Sequence, residues 1–372
     1  MQRVNLTDAT NENQEIEYSF NPAAPLAAGN FGSVFEGKNT TTDDIVAVKR
    51  IHITEVEVKK AFEKENLIMS KLLGGTNIVQ IQASKAEYHH TIRDTQYAYI
   101  AMTFGTQGDL KKFIGNVING NLKFLSMEKE MQLPIMWGMA NGLAYMHSLN
   151  IIHRDLKPQN IMIMLNKQGI PVPLIGDFGH SEIDTQDEHL TMLVGNIQYA
   201  APEQLSAFHS RTLEKRKAKP YSKAGDVYSS AVIFWELLEL GKEAYTLSIT
   251  TKPPLSTNEF VEAVVGNEHR KPFREPIPAG TNPRLATLIE KAWAPERTNR
   301  PTADEMSKEL YKILHPKTRE EKFEETFKKA ETSVVANSDV TIFKRRQAQL
   351  VKTSTQQTSA DVIYRRQVQI KK

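Results

Sequence analysis

Within six residues the chain carries three side chains whose chemistry fits one reaction. The run His153-Arg154-Asp155-Leu156-Lys157-Pro158-Gln159-Asn160 follows an apolar stretch ending Leu149-Asn150-Ile151-Ile152. Asp155 could accept the proton of a hydroxyl. Lys157 could neutralise a phosphate oxygen. Asn160 could ligate a hard cation through its amide oxygen, a donor that suits magnesium. A carboxylate, an ammonium and a carboxamide this close together fit phosphoryl transfer, where positioning and charge neutralisation supply most of the catalysis.

Such residues need elements to hold them. Ile16 to Leu26 enters a strand, and Gly29 and Gly32 allow a tight turn whose backbone amides could approach phosphate oxygens. Ile45 to Ile51 alternates as a strand. A helix is expected from Glu55 to Leu73, with Phe62, Leu67, Met69 and Leu72 as its apolar side. Glu65 lies four residues before Met69 and seven before Leu72, so it shares that face. Gly74-Gly75-Thr76-Asn77 ends the helix. Ile78 to Ile81 and Tyr97 to Met102 read as strands, with His89-His90 and Arg93-Asp94 in the turn between them. Met127 to Leu149 reads as a helix that begins or kinks at Pro134. Its methionines Met131, Met136, Met139 and Met146 are core filler. Ile161 to Met164 is a short strand, and a turn is expected at Asn166 to Gly169.

The string around Asp155 resembles the catalytic loop of eukaryotic protein kinases. Other motifs follow that family's order. Leu26-Ala27-Ala28-Gly29-Asn30-Phe31-Gly32-Ser33-Val34 resembles its glycine-rich loop, with Ala27 where the first glycine usually stands. Val-Ala-Val-Lys, ending at Lys49, resembles its V-A-I-K strand. Asp177-Phe178-Gly179 comes 22 residues after Asp155 and is similar to its metal-binding tripeptide. Ala201-Pro202-Glu203 and Arg300 match a paired Glu and Arg of the large lobe, and Asp226 matches a residue that tethers the catalytic loop.

The resemblance implies roles. Lys49 pairs with Glu65 to hold the α- and β-phosphates of ATP, and Glu63 is the neighbouring alternative. Leu26, Ala27, Gly29, Gly32, Val34, Ala47 and Met162 would enclose the nucleotide, with Met102 as gatekeeper and Thr103-Phe104-Gly105 as hinge. Asn160 and Asp177 would hold Mg2+, or Mn2+ in its place. Phe178, His153, Met69 and Ile81 would stack as a spine in the active state. Arg154 implies a basic pocket that takes an anion from the segment after Asp177. Thr191 is the first candidate phosphosite and Thr185 the second, while Asp187-Glu188 could supply standing charge instead. Asn196 stands where the family's serine/threonine members usually carry threonine. Its carboxamide is expected to donate to Asp155 and accept from Lys157.

The implied architecture is α+β, a bilobal protein-kinase-like fold. Its small lobe is mostly antiparallel sheet with one key helix, and its larger lobe is mostly helical. The kinase unit spans residues 16–312, with the small lobe at 16–102, the hinge at 103–105 and the large lobe at 106–312. Residues 1–15 are expected to be disordered. A helical extension follows at 313–332, then a basic tail at 333–372 in which Arg345-Arg346-Gln347-Ala348-Gln349 recurs as Arg365-Arg366-Gln367-Val368-Gln369. The implied activity is ATP- and magnesium-dependent phosphorylation of protein serine and threonine. Lys157 resembles serine/threonine members, whereas tyrosine kinases commonly carry Leu-Ala-Ala-Arg there. The nearest subgroup by resemblance is the tyrosine-kinase-like serine/threonine group. The alternative is a pseudokinase scaffold that binds nucleotide and partners without turnover.

Bulk composition limits other classes. A chain of 372 residues with 40% hydrophobic and 24% charged content is that of an ordinary globular protein. It has no cysteine, which removes disulfides, thiolate zinc sites and cysteine nucleophiles. No apolar stretch is long enough to span a bilayer, and no signal peptide is visible, so a cytoplasmic location is expected. Residues 338–372 hold eight Lys or Arg against two Asp; this +6 leaves −3 elsewhere, given a total of +3. That tail could dock a partner or act as a nuclear signal. The loop at 206–222, with Arg211, Lys215, Arg216, Lys217 and Lys219, could dock an acidic partner beside the protein substrate.

Overall fold

Alternation builds the first half of the molecule. A computed structural model describes residues 1–29, 32–90, 95–124, 126–184, 194–209, 220–245, 256–266, 269 and 271–316. Six antiparallel strands are β1 (Gln2–Asp8), β2 (Glu15–Gly29), β3 (Gly32–Asn39), β4 (Ile45–His52), β5 (Ile81–His90) and β6 (Thr95–Thr103). They close into a barrel in the order β1-β2-β3-β4-β6-β5. One face of the strands fills the barrel with Val4, Leu6, Phe20, Phe35, Val48 and Tyr99. On the other face Ile51, Ile81, Ala98 and Ile100 join the core that continues into the rest of the molecule.

The expectation of a disordered stretch at residues 1–15 is corrected here. Strand β1 pairs with β2, Val4 opposite Tyr18, and with β5, Thr7 opposite Ser84. Val4 and Leu6 are buried between exposed Arg3 and Asn5 and half-buried Thr7. Two apolar residues two apart suffice to seat a short strand, yet they are inconspicuous in a polar segment. Their burial also removes the open sheet edge that β2 and β5 would otherwise leave.

Helix α1 (Val56–Lys71) follows β4. It buries Phe62, Glu65, Ile68 and Met69. Leu67, expected on the apolar side, is 51% exposed, and Ile68 takes its place. The residues at i, i+3 and i+7 from Glu65 define the inward stripe better than Leu67, which lies two positions along and on another face.

The second half is mostly helical. Helices α2 (Leu110–Ile118), α3 (Leu133–Ser148), α4 (Pro202–His209), α5 (Lys223–Leu238), α6 (Thr257–Val265), α7 (Pro283–Ala292) and α8 (Ala303–Leu314) pack there. The long helical pattern from Met127 begins as a π-helical turn, Met127–Gln132, before α3. Pro134 sits in the first turn of α3, directly after the π-helical turn, where the helix changes its hydrogen-bonding pattern. Met131, Met136, Met139 and Met146 are buried as expected. Short strands β7 (Ile151–Ile152), β8 (Ile161–Leu165), β9 (Pro171–Ile175) and β10 (Glu182–Ile183) frame the loops that carry the polar residues. The Asn166–Gly169 turn joins β8 to β9, closed by Gly169 N–H to Asn166 O at 2.9 Å.

Met1–His315 is one compact unit. The architecture is α+β and bilobal, as expected. The helical extension beyond residue 316 and the repeated tail lie outside the described residues. So do Asn30 and Phe31 of the glycine-rich turn, the Arg93-Asp94 turn and the basic residues 211–219.

Candidate active site

Strand register gathers the expected nucleotide residues on one face of the sheet. Ala27 lies opposite Val34, Val34 opposite Lys49, and Ala47 opposite Met102. Leu26, Ala27 and Gly29 sit on β2, Gly32 on β3, and Met102 and Thr103 at the end of β6. Gly32 has φ +102°, and a Cβ there would meet Arg50 O at 2.2 Å, so the turn demands glycine at that position. Gly29 has open space around it. Phe104 and Gly105 continue from β6, and a Cβ on Gly105 would lie 2.9 Å from Met162 Cβ. This close approach brings the hinge against β8. Gln107 N–H donates to Ile163 O at 3.0 Å, and Ile163 N–H to Gly108 O at 2.9 Å.

Lys49 is buried and donates to both carboxylate oxygens of Glu65, at 2.6 and 2.8 Å. Asp177 Oδ1 lies 3.7 Å from the same Nζ. Burial opposes the Lys49 charge, but Glu65 and Asp177 outweigh it and raise the ammonium above its ordinary range. Glu63 is exposed and takes no part.

Asp155 is 3% exposed. Its Oδ2 accepts from Lys157 Nζ at 2.7 Å and from Asn160 Nδ2 at 3.1 Å, and it lies 3.4 Å from His180 Nδ1. Its Oδ1 accepts from Asn196 N–H at 3.1 Å. Burial alone would raise this carboxyl. The His180 and Lys157 contacts, with the charges of Lys157 and His153, outweigh it and hold the group at about 2. Asp155 is therefore an anion in the folded protein at neutral pH.

The expectation for Asn196 is corrected. Its backbone N–H, not its carboxamide, meets Asp155. The side-chain oxygen instead caps the turn Ile197–Tyr199 by accepting from Gln198 N–H at 3.0 Å. Asparagine favours such local capping over longer reach.

The loop holding Asp155 is fixed from beneath. Buried Asp226 on α5 accepts from His153 N–H at 2.8 Å, from Arg154 N–H at 3.0 Å, and lies 3.0 Å from His147 Nε2. Arg154 adopts φ +68°, a conformation these bonds sustain. Gly176 N–H donates to Asn160 O at 2.9 Å, which sets Asp177 beside Asn160. Asn160 spends its Nδ2 on Asp155 and leaves Oδ1 as its oxygen donor. Asp177 supplies a carboxylate and stays one-third exposed. A carboxylate and an amide oxygen fit magnesium that keeps its other positions for water and phosphate.

His153 and Phe178 meet with ring centroids 5.8 Å apart, and Met69, Ile81 and Phe178 are buried in one apolar cluster. Glu203 and Arg300 pair through two bonds of 2.8 and 2.7 Å. Thr185 and Thr191 lie outside the described residues, as do Asp187 and Glu188.

Two further residues act at the Arg154 pocket without having been singled out in the sequence. Glu182, on β10, accepts from Lys64 of α1 and lies 3.6 Å from Arg154 Nη2. Arg154 also lies over the ring of Tyr221, whose hydroxyl bonds Val194 N and O. Lys64 and Glu182 are 118 residues apart, so only tertiary structure pairs them.

Behind the substrate-side segment, Tyr199 OH donates to Glu236 at 3.1 Å, and Ala244 N–H donates to the same carboxylate at 2.9 Å. Burial pushes the Glu236 carboxyl up to about 7. An unfolded glutamate titrates near 4.3. A raised folded value gives stability that is complete below that range and lost as pH rises through about 7. Glu236→Gln should therefore flatten the fall in thermal stability across that window, an effect of about 3 kcal/mol. Melting curves from pH 5 to pH 8 check it.

Comparison with known proteins agrees with this geometry. The chain is 28% identical over 293 residues to serine/threonine-protein kinase STY46 of Arabidopsis thaliana, covering 77% of this chain and 43% of that one. It is 30% identical over 314 residues to serine/threonine-protein kinase VIK of the same plant, covering 81% and 62%. It is 27% identical over 300 residues to dual specificity protein kinase zakA of Dictyostelium discoideum, covering 78% and 34%. The chain thus spans roughly a third to three fifths of the length of these relatives. The sequence profile of the protein kinase domain matches residues 20–312, the same stretch that carries Lys49, Glu65, Asp155, Asn160 and Asp177, and the chain belongs to the protein kinase family.

Proposed function

We propose that this chain transfers the γ-phosphate of ATP to serine and threonine hydroxyls of proteins, with magnesium. The observation that carries the reading is the continuous polar line from Glu65 through Lys49 to Asp177, beside a buried, ionised Asp155. Magnesium, when bound, would neutralise phosphate charge at Asn160 and Asp177. Lys49, held by Glu65, would position the α- and β-phosphates. Asp155 would orient the acceptor hydroxyl and take its proton as the oxygen attacks phosphorus. Lys157 would neutralise charge growing on the γ-phosphoryl oxygens. Val34, Ala47, Met102 and Met162 would sandwich the adenine, and the Thr103–Gly105 backbone would read its edge.

A nucleotide-binding scaffold without turnover is the rival reading. Phospho-amino-acid analysis after transfer from labelled ATP separates the possibilities. Label on serine or threonine supports the proposal. Label on tyrosine as well would make the chain a dual-specificity enzyme, and bound nucleotide without transfer would favour the scaffold.

The pocket around Arg154 bears on regulation. Glu182 already brings a carboxylate to Arg154 and ties it to Lys64 of α1. We infer that the chain is active without a phosphate in the 185–193 segment. Phosphatase-treated protein should keep its activity. Glu182→Gln should lower it about tenfold, the scale of a lost charge-assisted contact. Loss of wild-type activity on phosphatase treatment would contradict this and turn attention to Thr191 and Thr185. An acidic partner at the 206–222 loop and a partner for the basic tail are proposed from charge alone. No helix among the described residues is long and apolar enough to cross a membrane.

A further inference from the structure

The two oxygens of Asp155 are unequally used. Oδ2 faces three donors: Lys157 Nζ at 2.7 Å, Asn160 Nδ2 at 3.1 Å and His180 Nδ1 at 3.4 Å. Oδ1 accepts one, the Asn196 N–H at 3.1 Å. A carboxylate oxygen offers about two in-plane acceptor positions. Oδ2 is therefore saturated, and Oδ1 keeps a lone pair for an incoming hydroxyl.

One of the three donors on Oδ2 has another duty in the reaction proposed above: Lys157 would turn toward the γ-phosphoryl group. Asn160 would hold the cation through Oδ1 and keep Nδ2, which it shares between Asp155 O and Oδ2, on the loop. His180 has neither duty and stays on Oδ2. Its backbone is held in place on both sides. Arg154 Nε donates to His180 O at 2.6 Å, and Ser181 N–H closes the turn onto Phe178 O at 2.9 Å. Ser181 Oγ, fully buried, donates to His153 O at 3.3 Å. The left-handed Asp177, at φ 57°, swings the chain so that residue 180 returns to the catalytic loop. The imidazole thus reaches Asp155 from a fixed frame, with its side chain only 21% exposed.

We propose that His180 is a positioning residue for phosphoryl transfer. Its Nδ1–H retains Asp155 Oδ2 while Lys157 is engaged by phosphate, so that Oδ1 stays presented to the acceptor hydroxyl. The contact spans 25 residues in sequence, and the motif order does not reveal it. The inference rests on the kinase reading of the site.

Single-turnover phosphate transfer from Mg-ATP to a protein substrate tests it. The wild-type chain of 372 residues is compared with His180→Leu and His180→Asn. Leucine fills the space without a donor. Asparagine places an N–H close to where Nδ1 stood. His180→Leu is expected to slow transfer about tenfold, the effect of one lost orienting hydrogen bond. Its KM for ATP should stay within about twofold and its melting temperature near that of the wild type. His180→Asn should recover most of the rate, which a merely structural role would not give. Equal transfer rates for wild type and His180→Leu would overturn the assignment and leave the kinase reading intact. So would a slow His180→Leu that His180→Asn does not rescue. A wild type that binds ATP and transfers nothing would overturn both.

Discussion

Asp155→Asn is expected to cut the phosphate-transfer rate by about 10²–10⁴, the usual worth of a positioned acid or base. ATP affinity should change little, because the residues proposed to hold the nucleotide are Lys49, the β2–β3 turn and the hinge, not Asp155. The substitution keeps the shape of the side chain and removes its charge. Oδ2 would become an amide or an oxygen that cannot satisfy Lys157, Asn160 and His180 together. The acceptor hydroxyl would lose the anion proposed to take its proton. Rapid-quench measurement under single-turnover conditions checks the rate, and nucleotide titration checks the affinity. A rate within a few-fold of wild type would remove Asp155 from the mechanism.

The second large effect is on stability. Arg300 is wholly buried as a side chain, while Glu203 is 20% exposed. Besides Glu203, the guanidinium donates to Ala294 O, Ala224 O and Pro295 O, and it lies 5.1 Å from the Tyr228 ring centre. Removing either partner of such a pair costs about 3–5 kcal/mol. Arg300→Ala should fall at the upper end, since it opens a cavity and strands three carbonyls. Glu203→Ala should fall at the lower end, because those carbonyls still share the cation. Denaturant unfolding of both variants checks the order. Equal, small losses would show that the pair is replaceable.

Much of the site could be read from sequence because phosphoryl transfer fixes residue types at short spacings. Asp155, Lys157 and Asn160 sit on one loop, and Asp177 follows one β-turn-β later. Lys49 and Glu65 are 16 residues apart, separated by one strand end and a helix, and helical periodicity chose Glu65 over exposed Glu63. Three features escaped for physical reasons. Strand β1 is seated by Val4 and Leu6 alone, and its two partners come later in the chain. The Lys64–Glu182 contact joins surface charges from distant segments, and isolated charges read as solvated faces. The Asn196 carboxamide chose a local cap over a distant carboxylate, a competition that spacing alone does not resolve. The bilobal fold was foreseen from the resemblance of the ordered motifs to the protein kinase family, and the six strands before residue 104 and the helices after it agree with that expectation.

Phosphate transfer from labelled ATP with magnesium, wild type against Asp177→Ala, tests the central claim most directly. Asp177 contacts the Lys49 ammonium and would supply the carboxylate for the cation, yet it is one-third exposed and its loss should leave the fold intact. The account predicts label on protein serine or threonine with wild type and almost none with Asp177→Ala, at equal melting temperatures. Equal labelling by the two proteins would contradict it, and so would a wild type that binds ATP and transfers nothing.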